Sequence, residues 1–297
     1  MKEKIKHSVF VDYVMGIMFA LMWGSAFTSA RIIVQDAPPL TISSLRFLLA
    51  GFIAILIARI LGQSWIFNRQ QWLGVGIFGL CQNAIYLGLF FVAMQWIEAS
   101  LAAILASTMP LLVALFNRIF FYEILKPLAI IGLISGFSGV TFIMIDKLSS
   151  NVDIRGIIAC AIGIIALTLA TLSVKKASSG GNILMVVGLQ MLVGGIVLAI
   201  SSFFLEPWVI IWTRTLTLAF IYTAVVPGLI ATWVWFKLVA RVGATRASRF
   251  HFLNPFFGVL IANSILDEAL SISDYIGVVI IALGILAVQA SKHQKSN

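Results

Sequence analysis

The sequence predicts an all-α integral membrane protein with ten transmembrane helices, arranged as two inverted five-helix repeats. The first observation is composition, since only 10% of the 297 residues are charged and the mean hydropathy is +1.07. The second is a series of apolar segments, each long enough to cross a hydrocarbon core of about 30 Å. The third is a partial internal repeat, in which residues 96–145 match residues 241–290 without a gap.

The apolar segments define ten predicted spans, separated by short gaps that hold most of the charge. A soluble domain of this size needs a more polar surface, so composition argues against that class. The basic residues Lys2, Lys4 and Lys6 precede span one, but this span is too long for a cleaved signal and has no small-x-small site. The ten spans lie at about 13–33, 40–59, 71–94, 99–119, 127–145, 154–174, 182–204, 216–237, 244–265 and 272–290.

The repeat divides these spans into two halves, residues 13–145 and 154–290. Each half has five spans, an odd number, so the second half is predicted to insert upside down relative to the first. Duplicated membrane proteins of this kind are mostly transporters with a site between the halves, and a bundle that conducts nothing is the alternative. Six identical pairs share an offset of 145 positions: Ala99/Ala244, Ala102/Ala247, Pro110/Pro255, Glu123/Glu268, Gly132/Gly277 and Gly139/Gly284.

The net charge of +9 is explained by membrane topology. With both termini in the cytoplasm, 15 of the 20 Lys and Arg residues lie in inside segments and four in outside segments. Excess positive charge on the cytoplasmic side is the usual signature of orientation. We therefore expect a multi-pass protein of a bacterial inner membrane, with cytoplasmic termini, contacts with lipid and no nucleic-acid partner. Glu123 would then lie inside and Glu268 outside.

Two kinds of motif carry a family resemblance. Span one contains Trp23-Gly24-Ser25-Ala26-Phe27, and spans four and nine share a Pro…Glu ending, Pro110/Glu123 and Pro255/Glu268. With the length, span count and repeats, these motifs resemble the EamA-like proteins of the drug/metabolite transporter superfamily over essentially the whole chain. The resemblance implies a ten-helix exporter or facilitator of amino acids, related metabolites or drugs. It does not identify the substrate or the oligomeric state, and a monomer is compatible with it.

A substrate cavity is predicted from the polar and aromatic side chains inside the spans. Such polar groups either meet a solute or join helices through hydrogen bonds. An aromatic stripe around Trp23 either stacks on a planar solute or packs against another helix. We expect the cavity residues to be Trp23, Ser25, Phe27, Gln82, Asn83, Tyr86, Thr108, Thr168, Gln190, His251 and Asn254.

The prolines inside spans are predicted to act as kinks. Pro110 and Pro255 occupy equivalent positions in the two halves, so their kinks form either a gate or site wall around the axis, or packing bends satisfied by a nearby hydroxyl. Pro227 and Gly228 form a further possible hinge in span eight, which has no equivalent proline in span three.

Charged groups inside the spans are few. Arg46 lies about two turns into span two, where it either holds a substrate carboxylate or, as we favour from its depth, reaches the interface or a structural partner. None of the 11 acidic residues lies clearly in the middle of a span. Proton coupling would therefore depend on His251 or Glu98, and uniport or exchange of an uncharged or zwitterionic solute is the simpler prediction.

No enzyme site is apparent. The sequence has no nucleophile, base and orienting group at telling spacings, no cofactor loop and no metal-ligand cluster, so we predict a non-enzyme without cofactor or metal. Gly74, Gly76 and Gly79 spell a dinucleotide-binding pattern, but they lie in an apolar helix rather than in a strand–helix unit. Two alternatives to the metabolite transporter remain open: a proton-coupled multidrug exporter, and a membrane assembly or regulatory protein that conducts nothing.

Overall fold

The computed structural model describes residues 2–65, 68–122, 124–149, 152–173, 182–242 and 247–291. Within these ranges the chain is helical and contains no strand. Nine helical segments of the described chain are long and apolar enough to cross a membrane, and the shorter apolar segment Phe250–Leu266 accounts for span nine. The prediction of an all-α membrane protein is confirmed. The first residues predicted for span nine and Glu123 lie outside the described residues.

The first half consists of spans one to five. Span three contains a π-helical segment, Gly79–Tyr86, between two α-helices, and span four is broken into two helices. Pro39 and Pro127 stand at the first position of their helices, where a missing N–H costs nothing. The helices are α1 (Lys2–Asp36), α2 (Pro39–Ile60), α3 (Arg69–Phe78), α4 (Leu87–Ala93), α5 (Ala99–Ala106), α6 (Met109–Phe121) and α7 (Pro127–Ser149).

The second half repeats this pattern. Span eight contains a π-helical segment, Ala224–Ile230, and span nine begins with a 3₁₀ segment, Ser248–Leu253. The first π-helical segment and the second start 145 positions apart. Span three therefore has a backbone counterpart to the Pro227 segment, although it has no equivalent proline. The helices are α8 (Ile154–Ser173), α9 (Ile183–Leu205), α10 (Arg214–Thr223), α11 (Ala231–Val242), α12 (Asn254–Leu266) and α13 (Ile272–Ser291).

The packing of the helices follows the repeat. Three pairs of equivalent spans pack on each other, namely two with seven, four with nine and five with ten. The contacts of span three with spans six and seven are matched by those of span eight with spans one and two. This pattern is what a pseudo-two-fold axis between the halves produces.

Close backbone contacts explain the two repeated glycine pairs. In α7 and α13, Gly132 lies against Gly284, and Gly139 against Gly277. A Cβ on Gly132 would stand 2.6 Å from the carbonyl oxygen of Gly284, so only glycine permits the helices to approach this closely. Adding the offset of 145 to Gly132 and Gly139 gives Gly277 and Gly284, so the repeat relates one contact to the other. The two contacts also show that the helices run antiparallel.

The equivalent helices also cap each other. Glu206, directly after α9, accepts hydrogen bonds from the backbone N–H groups of Leu40 and Thr41 at the start of α2 (2.9 and 2.8 Å). Gln63, after α2, accepts from two N–H groups at the start of α9 (3.0 and 3.2 Å). The first N–H groups of a helix have no partner within it, so each side chain satisfies donors that lipid cannot.

The ends of spans four and nine share an unusual backbone geometry. Tyr122 and Asp267, 145 positions apart, end α6 and α12 in the left-handed region, with φ of 54° and 53°. They are the only non-glycine residues in the described chain with positive φ. Glu268 then reaches the start of α5, so the end of span nine lies at the beginning of span four. The two equivalent ends therefore lie at opposite ends of the bundle, as an inverted repeat requires.

Candidate functional site: a cavity between the two halves

A cavity lies between spans one, two and three of the first half and spans seven and eight of the second. The cavity volume, taken as the space open to the centre of a water molecule, is about 50 Å³. Its wall is largely aromatic and aliphatic, with a few neutral polar groups and one arginine. The lining residues are Trp23, Ala26, Phe27, Ala30, Arg46, Phe47, Phe78, Gln82, Asn83, Tyr86, Leu87, Phe90, Phe91, Met94, Val187, Gln190, Met191, Pro227, Gly228 and Thr232.

The cavity lies on the repeat axis. Eight of its lining residues form four pairs that are each 145 positions apart: Arg46/Met191, Gln82/Pro227, Asn83/Gly228 and Leu87/Thr232. Residues at equivalent positions of the two halves can line the same cavity only if the pseudo-two-fold axis passes through or beside that cavity. In three of these pairs the first half contributes the polar side chain. The positions that line the cavity are therefore symmetric, but the polarity of their side chains is not.

The two π-helical segments supply two of these four pairs. Gln82, Asn83 and Tyr86 lie in the segment of span three, and Pro227 and Gly228 in that of span eight. A π-helical turn is wider than an α-helical one and is frequently found at functional sites. Here it turns the polar stripe of span three into the cavity, opposite the proline and glycine of span eight.

Arg46 is the charged group of the cavity wall. Only 5% of the residue is exposed, and its guanidinium carbon lies 4.3 Å and 4.8 Å from the ring centres of Phe47 and Phe91. None of the ion pairs seen between described residues includes it. Our preference for an interfacial or paired Arg46 is therefore wrong. The side chain turns inward because the face of α2 that carries it packs against the rest of the bundle.

Comparisons with known proteins identify the family. The sequence profile of the EamA-like transporter family matches the chain twice, over residues 12–145 and 154–289. The chain belongs to the EamA-like transporter family. It is therefore a multi-pass membrane transporter, as the sequence motifs in spans one, four and nine predicted.

Two curated relatives resemble the chain over nearly its whole length. The uncharacterized transporter YvbV of Bacillus subtilis (strain 168) is 25% identical over 280 residues, which cover 93% of this chain and 91% of the relative. The uncharacterized inner membrane transporter YedA of Escherichia coli (strain K12) is 27% identical over 290 residues, 94% of this chain and 91% of the relative. Neither name specifies a substrate.

A solved crystal structure shares the fold. It aligns with a TM-score of 0.68 over 94% of this chain and 97% of the other, at 20% sequence identity. Identity this low supports the fold alone. The chemistry of the cavity depends on the residues of this chain.

Nine residues singled out from the sequence line the cavity. They are Trp23, Phe27, Arg46, Gln82, Asn83, Tyr86, Gln190, Pro227 and Gly228. Three predicted cavity residues instead direct their hydroxyls to nearby groups. Ser25 bonds to the carbonyl oxygen of Met22 and to Tyr222 (both 2.7 Å), and Thr108 and Thr168 donate to carbonyl oxygens of their own segments. These hydroxyls join or bend helices, one of the two roles that polar membrane residues have.

His251 and Asn254 lie behind the cavity wall rather than in it. The amide nitrogen of Asn254 is 2.9 Å from Nδ1 of His251. The His251 ring packs edge-on against Phe19 (5.3 Å between ring centres) and Trp235 (4.8 Å), and Trp23 lies 6.5 Å away. We call Phe19, Trp23, Trp235 and His251 the aromatic cluster. Through Trp23 it forms one wall of the cavity.

Pro110 and Pro255 stand at helix breaks rather than at mid-helix kinks. Each is the second residue of its helix, α6 or α12. Ahead of α6, the hydroxyls of Ser107 and Thr108 donate to the carbonyl oxygens of Ile104 and Leu105 (2.6 and 2.7 Å), which compensates for the interrupted backbone pattern. Neither proline lines the cavity, so their role in gating stays a prediction.

Over the described residues, no group of three or more His, Cys, Asp or Glu side chains is placed to hold a metal ion. Cys81 and Cys160 are free thiols.

Sequence reasoning missed several residues of the cavity wall. Phe47, Phe90 and Phe91 are aromatic residues in apolar helices, where nothing in the pattern separates a cavity wall from a lipid-facing or core position. Met191 had a usable signal. Adding the repeat offset of 145 to Arg46 gives this position.

Proposed function

We propose that this protein carries amino acids or related small amphipathic metabolites across the bacterial inner membrane, as an exporter or facilitator working by alternating access. The supporting observation is the cavity on the repeat axis, lined by aromatic faces together with Gln82, Asn83, Tyr86 and Gln190. Such a wall suits a solute with an apolar part and a small polar head.

Inverted repeats supply the motion that this mechanism requires. When two equivalent halves rock against each other, a site between them opens to one face and then to the other. The broken helices of spans four and nine and the widened turns of spans three and eight occur at equivalent places, so both halves contain the same deformable elements. With positive charge concentrated at the ends that include both termini, we assign those ends to the cytoplasm.

A proton-coupled multidrug exporter fits the cavity less well. Among the described residues of the cavity wall none is acidic, and His251 stands behind Trp23. A cationic drug would have no carboxylate to bind, and a proton no membrane carboxylate to titrate. Uniport or exchange therefore remains our proposal, with the transported solute and membrane lipid as the binding partners.

Counterflow in proteoliposomes tests the proposal. Vesicles loaded with an unlabelled amino acid should take up the labelled one faster than empty vesicles, with no pH gradient applied. Gln190→Leu should reduce this uptake strongly, whereas Gln95→Leu, at an exposed position, should not. Absence of counterflow for all amino acids and small amphipathic metabolites, with protein that keeps its unfolding transition, would overturn the proposal. Strict dependence on a pH gradient would overturn uniport and exchange.

A further inference from the structure

Arg46 has a buried guanidinium edge without a partner. Within the described chain, Nε and Nη2 are buried and make no hydrogen bond. These two nitrogens flank one side of Cζ, and their N–H bonds point in parallel. That edge is the side-on fork that binds both oxygens of a carboxylate.

The surroundings of Arg46 leave its charge uncompensated. The rings of Phe47 and Phe91 lie 4.3 and 4.8 Å from the guanidinium carbon. Such contacts stabilise the flat faces of the cation but do not satisfy the N–H groups at its edge. A buried cation without an anion is expensive, and in membrane proteins such residues face an interior pathway and mark its function. Arg46 does face the cavity.

The rest of the cavity defines what accompanies the anion. The rest of the cavity wall offers neutral amides, from Gln82, Asn83 and Gln190, and the aromatic side chains of Trp23 and Phe27. No acidic group lines the described part of the wall, so a solute with a net positive charge would be repelled by Arg46 and would find no anion there. A zwitterion's ammonium group can be received by amide oxygens and aromatic faces.

The repeat also fixes the direction of the solute. The position equivalent to Arg46 in the second half is Met191, which lines the same cavity. One half therefore offers a cation where the other offers a thioether. The carboxylate of a solute would therefore lie at span two, and the rest of the solute would extend away from it.

We propose that Arg46 binds the carboxylate of the transported solute through Nε and Nη2, so that the protein selects small monocarboxylates with a neutral or zwitterionic remainder and rejects cations. This inference rests on the proposed transport function and specifies its substrate class. The carboxylate of the solute would supply the negative charge that Arg46 lacks among the described residues.

Binding of L-phenylalanine and L-leucine should be compared with binding of the corresponding amides, by thermal shift and by tryptophan fluorescence. The amides keep the side chain but carry a net positive charge and no carboxylate. We expect each acid to bind at least about tenfold more tightly than its amide, since a charge-assisted bidentate contact is lost. Arg46→Met should remove this preference, and Arg46→Lys, which keeps the charge but not the fork, should retain only part of it.

Arg59→Met is the matched control, because Arg59 lies on the same helix at an exposed position. It should leave the acid/amide ratio unchanged. Without ligand, Arg46→Met should unfold at the same temperature as the wild type or higher, since it removes an unpaired buried charge. That result would separate a binding role from a structural one.

The outcomes distinguish this inference from the proposed function. If counterflow occurs but acids and amides are carried equally, or if Arg46→Met binds acids as the wild type does, the carboxylate assignment is wrong and transport stands. If no small solute shows counterflow, the transport proposal itself fails.

Discussion

Glu268 joins two parts of the fold through two hydrogen bonds. Its carboxylate, at the end of span nine, accepts from the backbone N–H groups of Ala99 and Ser100 at the start of span four (2.7 and 2.9 Å). The residue is buried, and charged acceptors are favourable at the N-terminus of a helix. Glu268→Ala would leave two buried donors unpaired, so we expect a loss of about 1–3 kcal/mol in stability, measured as a lower unfolding temperature in detergent.

Two variants make the test of this cap specific. Glu268→Gln keeps one acceptor oxygen and should lower the unfolding temperature less than Glu268→Ala does. Asp12→Ala breaks a pair with the exposed Arg241, and a surface pair contributes at most about 1 kcal/mol. Equal unfolding temperatures for Glu268→Ala and Asp12→Ala would contradict the capping role.

Single residues also show where sequence reasoning stops. The positions of Gln82, Asn83 and Tyr86 on one helix face could be predicted from their spacing, and all three line the cavity. The direction of Arg46 could not be predicted, because its helix is apolar all round and no hydrophobic stripe marks the inner face. In lipid, tertiary packing alone decides which face is buried.

At the level of helices, the contact between α7 and α13 depends on glycine. A Cβ on Gly284 would lie 2.7 Å from the carbonyl oxygen of Gly132 and 2.7 Å from the backbone nitrogen of Gly136. These are backbone atoms, so Gly284→Ala must push the helices apart. We expect a lower unfolding temperature, equivalent to about 1–3 kcal/mol, as for other overpacked contacts.

Gly76→Ala provides a helical glycine without such a contact. No heavy atom lies within 4 Å of the Cβ that would be added there. Because alanine favours the helix by up to about 1 kcal/mol, this variant should unfold at the same or a higher temperature. A similar loss in both variants would show that the contact between spans five and ten does not limit stability.

The widened turn of span eight allows a direct test of the cavity. A Cβ on Gly228 would meet only the backbone of Thr223, at 3.0 Å for its carbonyl oxygen, and otherwise open space. Gly228→Leu would crowd this carbonyl oxygen and should lower the unfolding temperature slightly. Its side chain would also fill part of the cavity. We expect counterflow to fall at least about tenfold, because the added side chain, in excess by about two methylenes, would occupy space that the solute needs. Gly76→Leu, outside the cavity, should transport normally, and equal transport by the two variants would contradict our placement of the site.

These helices were only partly predictable. Ten apolar spans follow from hydropathy, and their order matches the structure. The breaks and widened turns do not follow in the same way, because Pro227 marks one π-helical segment whereas Gly79–Tyr86 contains no proline. Such turns depend on how a helix fits its neighbours, which hydropathy does not record.

At the level of the whole molecule, the repeat offset carried the most information. Six pairs of identical residues predicted two inverted halves. The same offset of 145 relates the π-helical segments, the left-handed helix ends and four residue pairs in the cavity. The cavity itself was less predictable, since its chemistry arises where symmetry fails. Arg46 opposite Met191 is such a place, and a repeat alone cannot reveal it.

The orientation of the two halves in the membrane follows from charge and can be measured. Tyr122 and Ile272 are exposed and lie at opposite ends of the bundle. In a background of Cys81→Ser and Cys160→Ala, Ile272→Cys should react with a membrane-impermeant maleimide in intact cells, because its end of the bundle carries few basic residues. Tyr122→Cys, near Arg118 and Lys126, should react only after permeabilisation. The reverse pattern would invert the assigned orientation and place both termini outside. Labelling of both positions from one side would contradict the inverted repeat, since an odd number of spans separates each residue from its equivalent in the other half.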